Sequence, residues 1–453
     1  MNTEELIEAT NAKIIGQASL NKEINISTDT RTIKSGDFYL PLKGASFDGE
    51  KFIAQAIEKG AIGAFFTSNQ NLPKGVNALF LQVPNTLTAY LQLANYRLHK
   101  LKPFVIAVTG SSGKTTTKEL VASVLSEKYK TFKTPLNHNN EIGFCQTVFE
   151  APDDVEVLVL EMGMRGLGEI ELLSKYSEPD VAIISNVGTA HIGRLGSREN
   201  IAKAKCEIVK GIKSQKTLAM EITPALIAHN DEIIKNTVDF NGEKIFYSIN
   251  DVKIIEKSAS YSKFEYKENI YELNVGGDYN IENALSAINI GLKLGLTIEQ
   301  IQTGLKKYKP IEKRWESVTV NVNEKKFEII NDSYNANPES MHAFVDTIFE
   351  HYKNYVLILG DMGELGENEI QYHRELGEYI NKKNNLAPTA KIISIGTLSK
   401  NITNAITACE IKHFDNIENA IPYIKSNIES GTILFLKASR SMKFEQIIEL
   451  LSK

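Results

Sequence analysis

Short apolar runs separated by helical repeats set the outline of this chain. Phe104-Val105-Ile106-Ala107-Val108 is five residues long and carries no charge. Two further runs lie at 155–160 and 181–185, with helical patterns between them. Continuous apolar runs of this length, alternating with helices, predict parallel strands buried on both faces. The alternation returns later, where strands are expected at 327–330, 355–359, 391–395 and 433–436. The first hundred residues are more mixed. Phe38-Tyr39-Leu40-Pro41-Leu42 and Ala64-Phe65-Phe66 read as extended, and 52–59 and 88–99 as helical.

The pattern changes at Lys102-Pro103 and at Lys309-Pro310. Proline disfavours helix in the residue before it, so both steps mark boundaries. Three α/β domains are therefore expected, at 1–102, 103–310 and 311–453.

Composition then removes several function classes. The chain has 453 residues, 42% hydrophobic and 24% charged, enough for more than one core. Its net charge of −5 gives no global basic field, so no nucleic acid is expected as a partner. No apolar run approaches the ~18–20 residues of a membrane helix, so no membrane insertion is expected. The start, Met1-Asn2-Thr3-Glu4-Glu5, is acidic and lacks a signal core. The spacing of Cys145, Cys206 and Cys409 fits neither a disulfide framework nor a zinc site. A cytoplasmic protein is expected.

The clearest chemistry follows the first buried strand directly. Gly110-Ser111-Ser112-Gly113-Lys114-Thr115-Thr116 joins it to a helix with Leu120, Val121, Val124 and Leu125 on one face. Strand, glycine turn and helix start form an anion site, with backbone N–H groups and the helix dipole directed at phosphate. Lys114 adds a mobile charge for the β- and γ-phosphates, and the Thr115 hydroxyl can ligate Mg²⁺. Val108 stands where the longer P-loop has its first glycine, so this is the shorter G-x-x-G-K-T form.

Other candidates cluster on the same predicted edge. Glu161 ends the second buried strand, where a carboxylate lies on the ligand side of a parallel sheet and can hold Mg²⁺. His191 follows the third strand and reaches that edge. A helix over 197–212, capped by Ser197, carries Ile201, Ala204, Ile208 and Ile212 at helical spacing, with Lys205 inside the stripe. Two readings of Lys205 are open: it snorkels at the edge of the stripe, or burial favours its neutral amine, which can take up CO₂ as a carbamate and ligate metal. Asn280 and Asn283 open a helix, where they either cap it or read an adenine edge. Arg314 either reaches phosphate across a cleft or forms a surface ion pair. Asp332 closes a strand, a position suited to a ribose diol.

Taken together and in order, these motifs resemble the Mur ligases over nearly the whole chain. Asn139-Asn140-Glu141-Ile142-Gly143, Asp332-Ser333-Tyr334-Asn335-Ala336-Asn337-Pro338, Gly360-Asp361-Met362-Gly363-Glu364-Leu365-Gly366 and Lys437-Ala438-Ser439-Arg440-Ser441 resemble most the members that add D-alanyl-D-alanine to UDP-N-acetylmuramoyl-tripeptide. The resemblance implies an N-terminal UDP-substrate domain, a central P-loop-type ATPase with a mainly parallel sheet, and a C-terminal Rossmann-like domain for the incoming dipeptide. It implies ATP and Mg²⁺ handling by Lys114, Thr115, Glu161 and His191, with Lys205 at the family's carbamylated position. Nucleotide contacts are implied at Asn280, Asn283, Arg314 and Asp332. UDP-substrate contacts are implied at Asp29, Arg31, Lys43, Gly44, Asn139 and Asn140, and dipeptide contacts at Asn335, Asn337, Ser439 and Arg440. Tyr279 stands where the family has histidine, and Cys206 where glycine is common.

The implied chemistry is amide formation through an acyl phosphate by a monomer, in the cytoplasmic stage of peptidoglycan synthesis. Such chemistry needs positioning and charge neutralisation more than a nucleophilic side chain. Two competitors remain: a folylpolyglutamate synthase-like ligase, and a nucleotide-switched binding protein without ligase activity. The N-terminal motifs argue against the first, and the Glu161, His191 and Lys205 set against the second.

Overall fold

The computed structural model describes residues 1–15, 23–44, 47–68, 72–213, 222–258, 260–310, 313–322, 325–383 and 390–452. The expected start of the third domain at 311 lies outside these residues. Three α/β layers follow one another along the chain, each built on its own sheet.

The first sheet holds β1 (Lys13–Ile15), β2 (Ile26–Ser27), β3 (Phe38–Tyr39), β4 (Gly63–Phe66) and β5 (Leu79–Gln82), in the order β1-β5-β4-β3-β2. Only β1 runs antiparallel to its neighbour. The helix Thr86–Leu101 leads out of it. That helix packs on Glu141–Glu150 of the next layer, where the Tyr90 and Phe149 rings stack 5.6 Å apart.

The central sheet holds β6 (Phe104–Thr109), β7 (Thr131–Lys133), β8 (Val157–Glu161), β9 (Val181–Ile184), β10 (Ala225–His229) and β11 (Glu243–Tyr247). All its pairings are parallel, in the order β11-β10-β9-β6-β8-β7. Every residue of β6, β8 and β9 is buried. Period-two alternation divides them between two cores. Ile106, Val108, Val159 and Ile183 face one cluster, while Val105, Ala107, Leu160 and Ile184 face the other. That double burial is why these runs carry no polar alternation.

The chain leaves β6 toward β7 and β8 on one side and returns to place β9 on the other. Such a reversal opens a crevice at the carboxyl ends of the strands. The turns after β6, β8 and β9 meet there.

Beyond it, β12 (Lys253–Lys257), β13 (Ser262–Tyr266) and β14 (Asn269–Leu273) form a small antiparallel sheet that the sequence reading did not anticipate. The C-terminal sheet holds β15 (Glu316–Val322), β16 (Lys325–Asn331), β17 (Tyr355–Gly360), β18 (Lys391–Ile395), β19 (Glu410–Phe414) and β20 (Ile433–Lys437). Its order is β15-β16-β20-β17-β18-β19, parallel except for the β15–β16 pair. Among the described residues, no helix is long and apolar enough to cross a membrane.

Candidate active site

The crevice is a cavity of about 690 Å³. Its floor is the turn after β6. Gly113 caps the helix Lys114–Leu125 from the left-handed region, at φ +75°. A Cβ there would lie 2.4 Å from the Asn283 carboxamide oxygen, so the close approach requires glycine. The loop amides of Ser111 and Ser112 donate to the Asn186 side-chain oxygen at 3.1 and 2.9 Å. That oxygen marks the concave, anion-seeking face of the loop. Lys114 Nζ donates to the Gly110 carbonyl at 2.8 Å. Burial lowers the Lys114 pKa.

The next turn supplies Glu161. It is buried, and its Oε1 accepts from Asn139 Nδ2 at 3.0 Å. Its Oε2 is buried and accepts no hydrogen bond. Its nearest cation is Lys118 Nζ at 3.6 Å, beyond hydrogen-bond reach, and a buried carboxylate oxygen so placed fits a metal cation. Among the described residues, no three His, Cys, Asp or Glu side chains come together as a metal cluster. A cation at Glu161 would therefore draw its remaining ligands from hydroxyl, phosphate or a modified lysine.

Lys205 is the lysine that the apolar stripe singled out. The helix Arg198–Cys206 is capped by Ser197, whose side chain accepts from Asn200, and a 3-10 turn over Glu207–Gly211 continues it. The expected single helix is thus two pieces. Lys205 is fully buried and its Nζ has no hydrogen-bond partner. Desolvation pushes its pKa well below the usual lysine range, and the nearby Lys114 charge adds to the shift. The snorkelling alternative does not hold, because the ammonium end does not reach water.

The C-terminal layer closes the cavity. Arg314 Nη2 donates to the Thr115 hydroxyl at 2.9 Å, and its guanidinium lies over the Tyr334 ring at 4.0 Å. The surface-ion-pair alternative for Arg314 is thereby set aside. Asp332, one residue past β16, pairs with Lys437 Nζ at 2.5 Å. His191 Nδ1 stands 2.5 Å from Glu364, and burial lowers its pKa despite that carboxylate. Glu339 accepts from the Thr189 amide and hydroxyl at 2.8 and 3.0 Å.

Asn280 and Asn283 both line the cavity, on the helix Asp278–Lys293. Neither is its N-cap, which is Gly277. Asn280 Nδ2 donates to the Gly276 carbonyl at 2.7 Å, and Asn283 Oδ1 accepts from Thr117 at 3.1 Å. The capping alternative is thus corrected: the first turn is glycine-led, and the two amides face the phosphate loop.

Asn139, Asn140, Thr116, Asn335 and Asn337 also line the cavity. Asn337 uses its side-chain oxygen to cap the helix Pro338–His351. Asn140 caps Glu141–Glu150 in the same way. Ser439 and Arg440 are not among the lining residues: Ser439 bonds Ser441, and Arg440 pairs with Glu445 at 3.4 Å. Asp29, Arg31, Lys43 and Gly44 are also outside this cavity. Arg31 hydrogen bonds hold Asp29 at a pKa of about 2, and Lys43 faces Asp48 at 3.8 Å. Asp29 lines a second cavity of about 550 Å³.

Sequence reasoning missed Lys118, Glu339 and Glu364 as contributors to the site. Lys118 carried a visible signal. It lies at 118, 121, 125 spacing with Val121 and Leu125 on the stripe after the phosphate loop, the same signal that singled out Lys205.

The site is assembled from the central and C-terminal layers, and the chain matches known families in three successive stretches. Residues 24–100 match the Mur ligase family catalytic domain, 108–291 the Mur ligase middle domain, and 313–440 the Mur ligase glutamate ligase domain. A relative from Bacillus subtilis, named UDP-N-acetylmuramoyl-tripeptide--D-alanyl-D-alanine ligase, is 36% identical over 94% of this chain and 92% of its own. The crystal structure of MurF from Acinetobacter baumannii superposes with a TM-score of 0.85 at 29% identity, covering 100% of this chain and 99% of its own. MurF ligase from Thermotoga maritima, solved in complex with ADP, gives 0.81 at 25% identity, covering 94% and 97%. Full-length likeness of sequence and fold, around a cleft lined by the second and third matched stretches, establishes that the chain belongs to the Mur ligase family.

Proposed function

We propose that this chain is an ATP-dependent ligase that adds D-alanyl-D-alanine to UDP-N-acetylmuramoyl-tripeptide, forming ADP and phosphate. The observation that carries the reading is one cleft in which the phosphate loop and Glu161 face Arg314 and Asp332 of the C-terminal layer, with buried Lys205 close enough to feel the charges of Lys114 and Glu161. The name borne by the Bacillus subtilis relative supplies the substrates.

A carboxylate does not acylate an amine at neutral pH, because its leaving group is poor. In the proposed path the tripeptide carboxylate attacks the γ-phosphorus of ATP. The bond from that phosphorus to the bridging oxygen breaks, and ADP departs with the electron pair. The dipeptide amine then attacks the acyl carbon, loses a proton, and phosphate leaves from the tetrahedral intermediate. Lys114 and the loop amides hold the phosphates in line, and Arg314 brings a second cation from across the cleft. Asp332 is placed for the ribose hydroxyls, and Asn280 and Asn283 for the adenine.

Thr115, Glu161 and His191 would hold Mg²⁺, together with Lys205 as a carbamate. The bound ion neutralises charge shared between the β- and γ-phosphates. A carbamate on Lys205 turns a costly buried cation into an anion beside it.

Residues 1–102 are assigned to the UDP-muramoyl peptide, 103–310 to ATP, and 311–453 to the incoming dipeptide. Asp29, Arg31, Lys43, Gly44, Asn139 and Asn140 serve the first substrate, and Asn335, Asn337, Ser439 and Arg440 the last. Every named group is on one chain, so a monomer suffices.

The test is phosphate release across a matrix of UDP-muramoyl peptides and dipeptides. Release should require ATP, a UDP-muramoyl-tripeptide and D-alanyl-D-alanine together. Release with nucleotide alone, or a requirement for a folate and glutamate instead, would overturn the assignment.

A further inference from the structure

Lys118 lies one helical turn beyond Lys114, on the helix Lys114–Leu125, and it is fully buried. Its Nζ donates to the carbonyls of Thr134 at 2.8 Å and Leu136 at 3.2 Å. The same nitrogen stands 3.3 Å from Glu119 Oε1 and 3.6 Å from Glu161 Oε2. Two of its three protons thus go to backbone, and the third faces carboxylate.

Both carbonyls belong to the connection between β7 and the helix Glu141–Glu150. That connection bends sharply. Leu136 adopts φ +46°, a left-handed conformation that a leucine enters only under constraint. No burial compensates for it, because the Leu136 side chain is 76% exposed. The constraint comes from the backbone, where Lys118 holds the Leu136 carbonyl.

The far end of the connection reaches the cleft. The Asn139 carbonyl accepts from the Gly163 amide at 2.8 Å, and its side chain donates to Glu161. Lys118 and Asn139 therefore meet the same carboxylate from two sides, Lys118 at Oε2 and Asn139 at Oε1. Burying a cation under the site to hold an exposed, strained turn is costly unless the turn's position matters.

We propose that Lys118 is a positioning residue for the carboxylate-bearing substrate: it tethers the 134–140 connection so that Asn139 and Asn140 face the cleft. This rests on the assignment of those asparagines to the UDP substrate. Lys118 is not among the residues lining the cavity, and it reaches the UDP substrate through the loop it holds.

The test uses the full chain. Lys118→Met keeps the volume and removes the tether. The KM for UDP-N-acetylmuramoyl-tripeptide should rise about tenfold or more, the loss expected for a charge-assisted hydrogen bond. ADP affinity by titration should stay within about threefold. Hydrogen exchange without substrates should quicken at the amides of Asn139 and Gly163. Leu136→Pro breaks the same turn from an exposed position, since proline requires a negative φ, and should reproduce the split. Leu136→Asn, which tolerates left-handed backbone, should behave as wild type. If Lys118→Met does not fold, Leu136→Pro decides alone. Unchanged exchange at Asn139 and Gly163, or nucleotide and UDP-substrate affinity weakening together, would overturn the proposal. Wild-type chain that does not turn over the UDP substrate would remove the substrate reading, and the exchange measurement would still decide the tether.

Discussion

Two lysines of the central layer are fully buried, and their surroundings are opposite. Lys118 ends among two carbonyls and two carboxylates. Lys205 ends with no hydrogen-bond partner, and Lys114 is the second cause of its lowered pKa after desolvation. A buried ammonium survives where oxygen surrounds it and is expelled where it does not. Lys118, donating to two loop carbonyls, serves as a fastener. The surroundings of Lys205 disfavour its charged form relative to the neutral amine, the form that reacts with CO₂. The difference separates two uses of the same residue type within one domain.

The largest expected effect comes from removing the cation that faces Lys205. Lys114→Ala should abolish ligation, with phosphate release falling by about a thousandfold or more at saturating ATP. The transferring phosphoryl loses its principal lysine, and Arg314 alone does not replace it. Near-normal turnover would take the loop out of the assignment.

Lys205 itself sharpens the comparison further. Arginine at 205 should be inactive, because it keeps a permanent cation and cannot be carbamylated. Alanine should also be inactive, but acetate or a similar short carboxylate should restore part of the activity. Depleting CO₂ and bicarbonate should lower wild-type activity reversibly and leave ADP binding nearly intact. A plain ammonium on Lys205 in an active crystal with nucleotide and Mg²⁺ would refute the carbamate and leave the ligase in place.

The contrast also shows how far the sequence could be read. The strands at 104–108 and 181–185 were legible because burial on both faces writes an unbroken apolar run. Their carboxyl ends, with that of the run at 155–160, put the phosphate loop, Glu161 and His191 on one expected edge. The β12–β14 sheet was not legible. Its strands are short and carry charges such as Lys253, Glu256 and Lys257; β12 has no buried residue, and β13 buries only alternate positions. Lys205 was found by its place on an apolar stripe, but Lys118 was passed over within the phosphate-loop motif. What no stripe can reveal is the partner set: the carbonyls of Thr134 and Leu136 come from a loop whose course is set by tertiary contacts. Glu339 and Glu364 were illegible for the same reason, since both act across the cleft on residues about 150 or more positions away.

A third buried lysine tests whether the rule crosses domains. Lys437 is 3% exposed and is held by Asp332. Asp332→Ala would leave it no carboxylate, only the backbone carbonyls of residues 332 and 335, each at 3.4 Å. Stability should fall by roughly 1–3 kcal/mol, for a pair still partly open to solvent. Nucleotide affinity should weaken about tenfold, and that for the UDP substrate should change little. Adding Lys437→Met should recover stability without recovering nucleotide binding. If the double variant bound ATP normally, the ribose role of Asp332 would be wrong.

The smallest effect uses two histidines in place of two lysines. His373 is fully buried, and its Nδ1 donates to the Glu369 carbonyl at 2.6 Å while Nε2 accepts from the Met362 amide at 2.8 Å. This pattern requires the neutral ring. Desolvation lowers its pKa below the ordinary 6.5, although Glu369 and Asp361 oppose the shift. As the pH falls past 6.5, the unfolded chain takes the proton first, so this group costs stability on the acid side. His229 behaves oppositely. Burial alone would lower its pKa, but the Glu282 hydrogen bond and the Glu282 and Asp231 charges raise it above 6.5, against the opposing Arg198 charge. Its contribution is fully present below 6.5 and is lost as the pH rises through the raised value. Urea titrations at pH 5 and pH 8 separate the two. Relative to wild type, His373→Gln should lessen the loss of stability on going to pH 5, and His229→Gln should deepen it, each by about 1 kcal/mol or less. Glu282 lies between Asn280 and Asn283, so the His229 pair also steadies the helix that faces the phosphate loop. Shifts of the same sign in both variants would mean that lost contacts, and not ionisation, set the pH dependence.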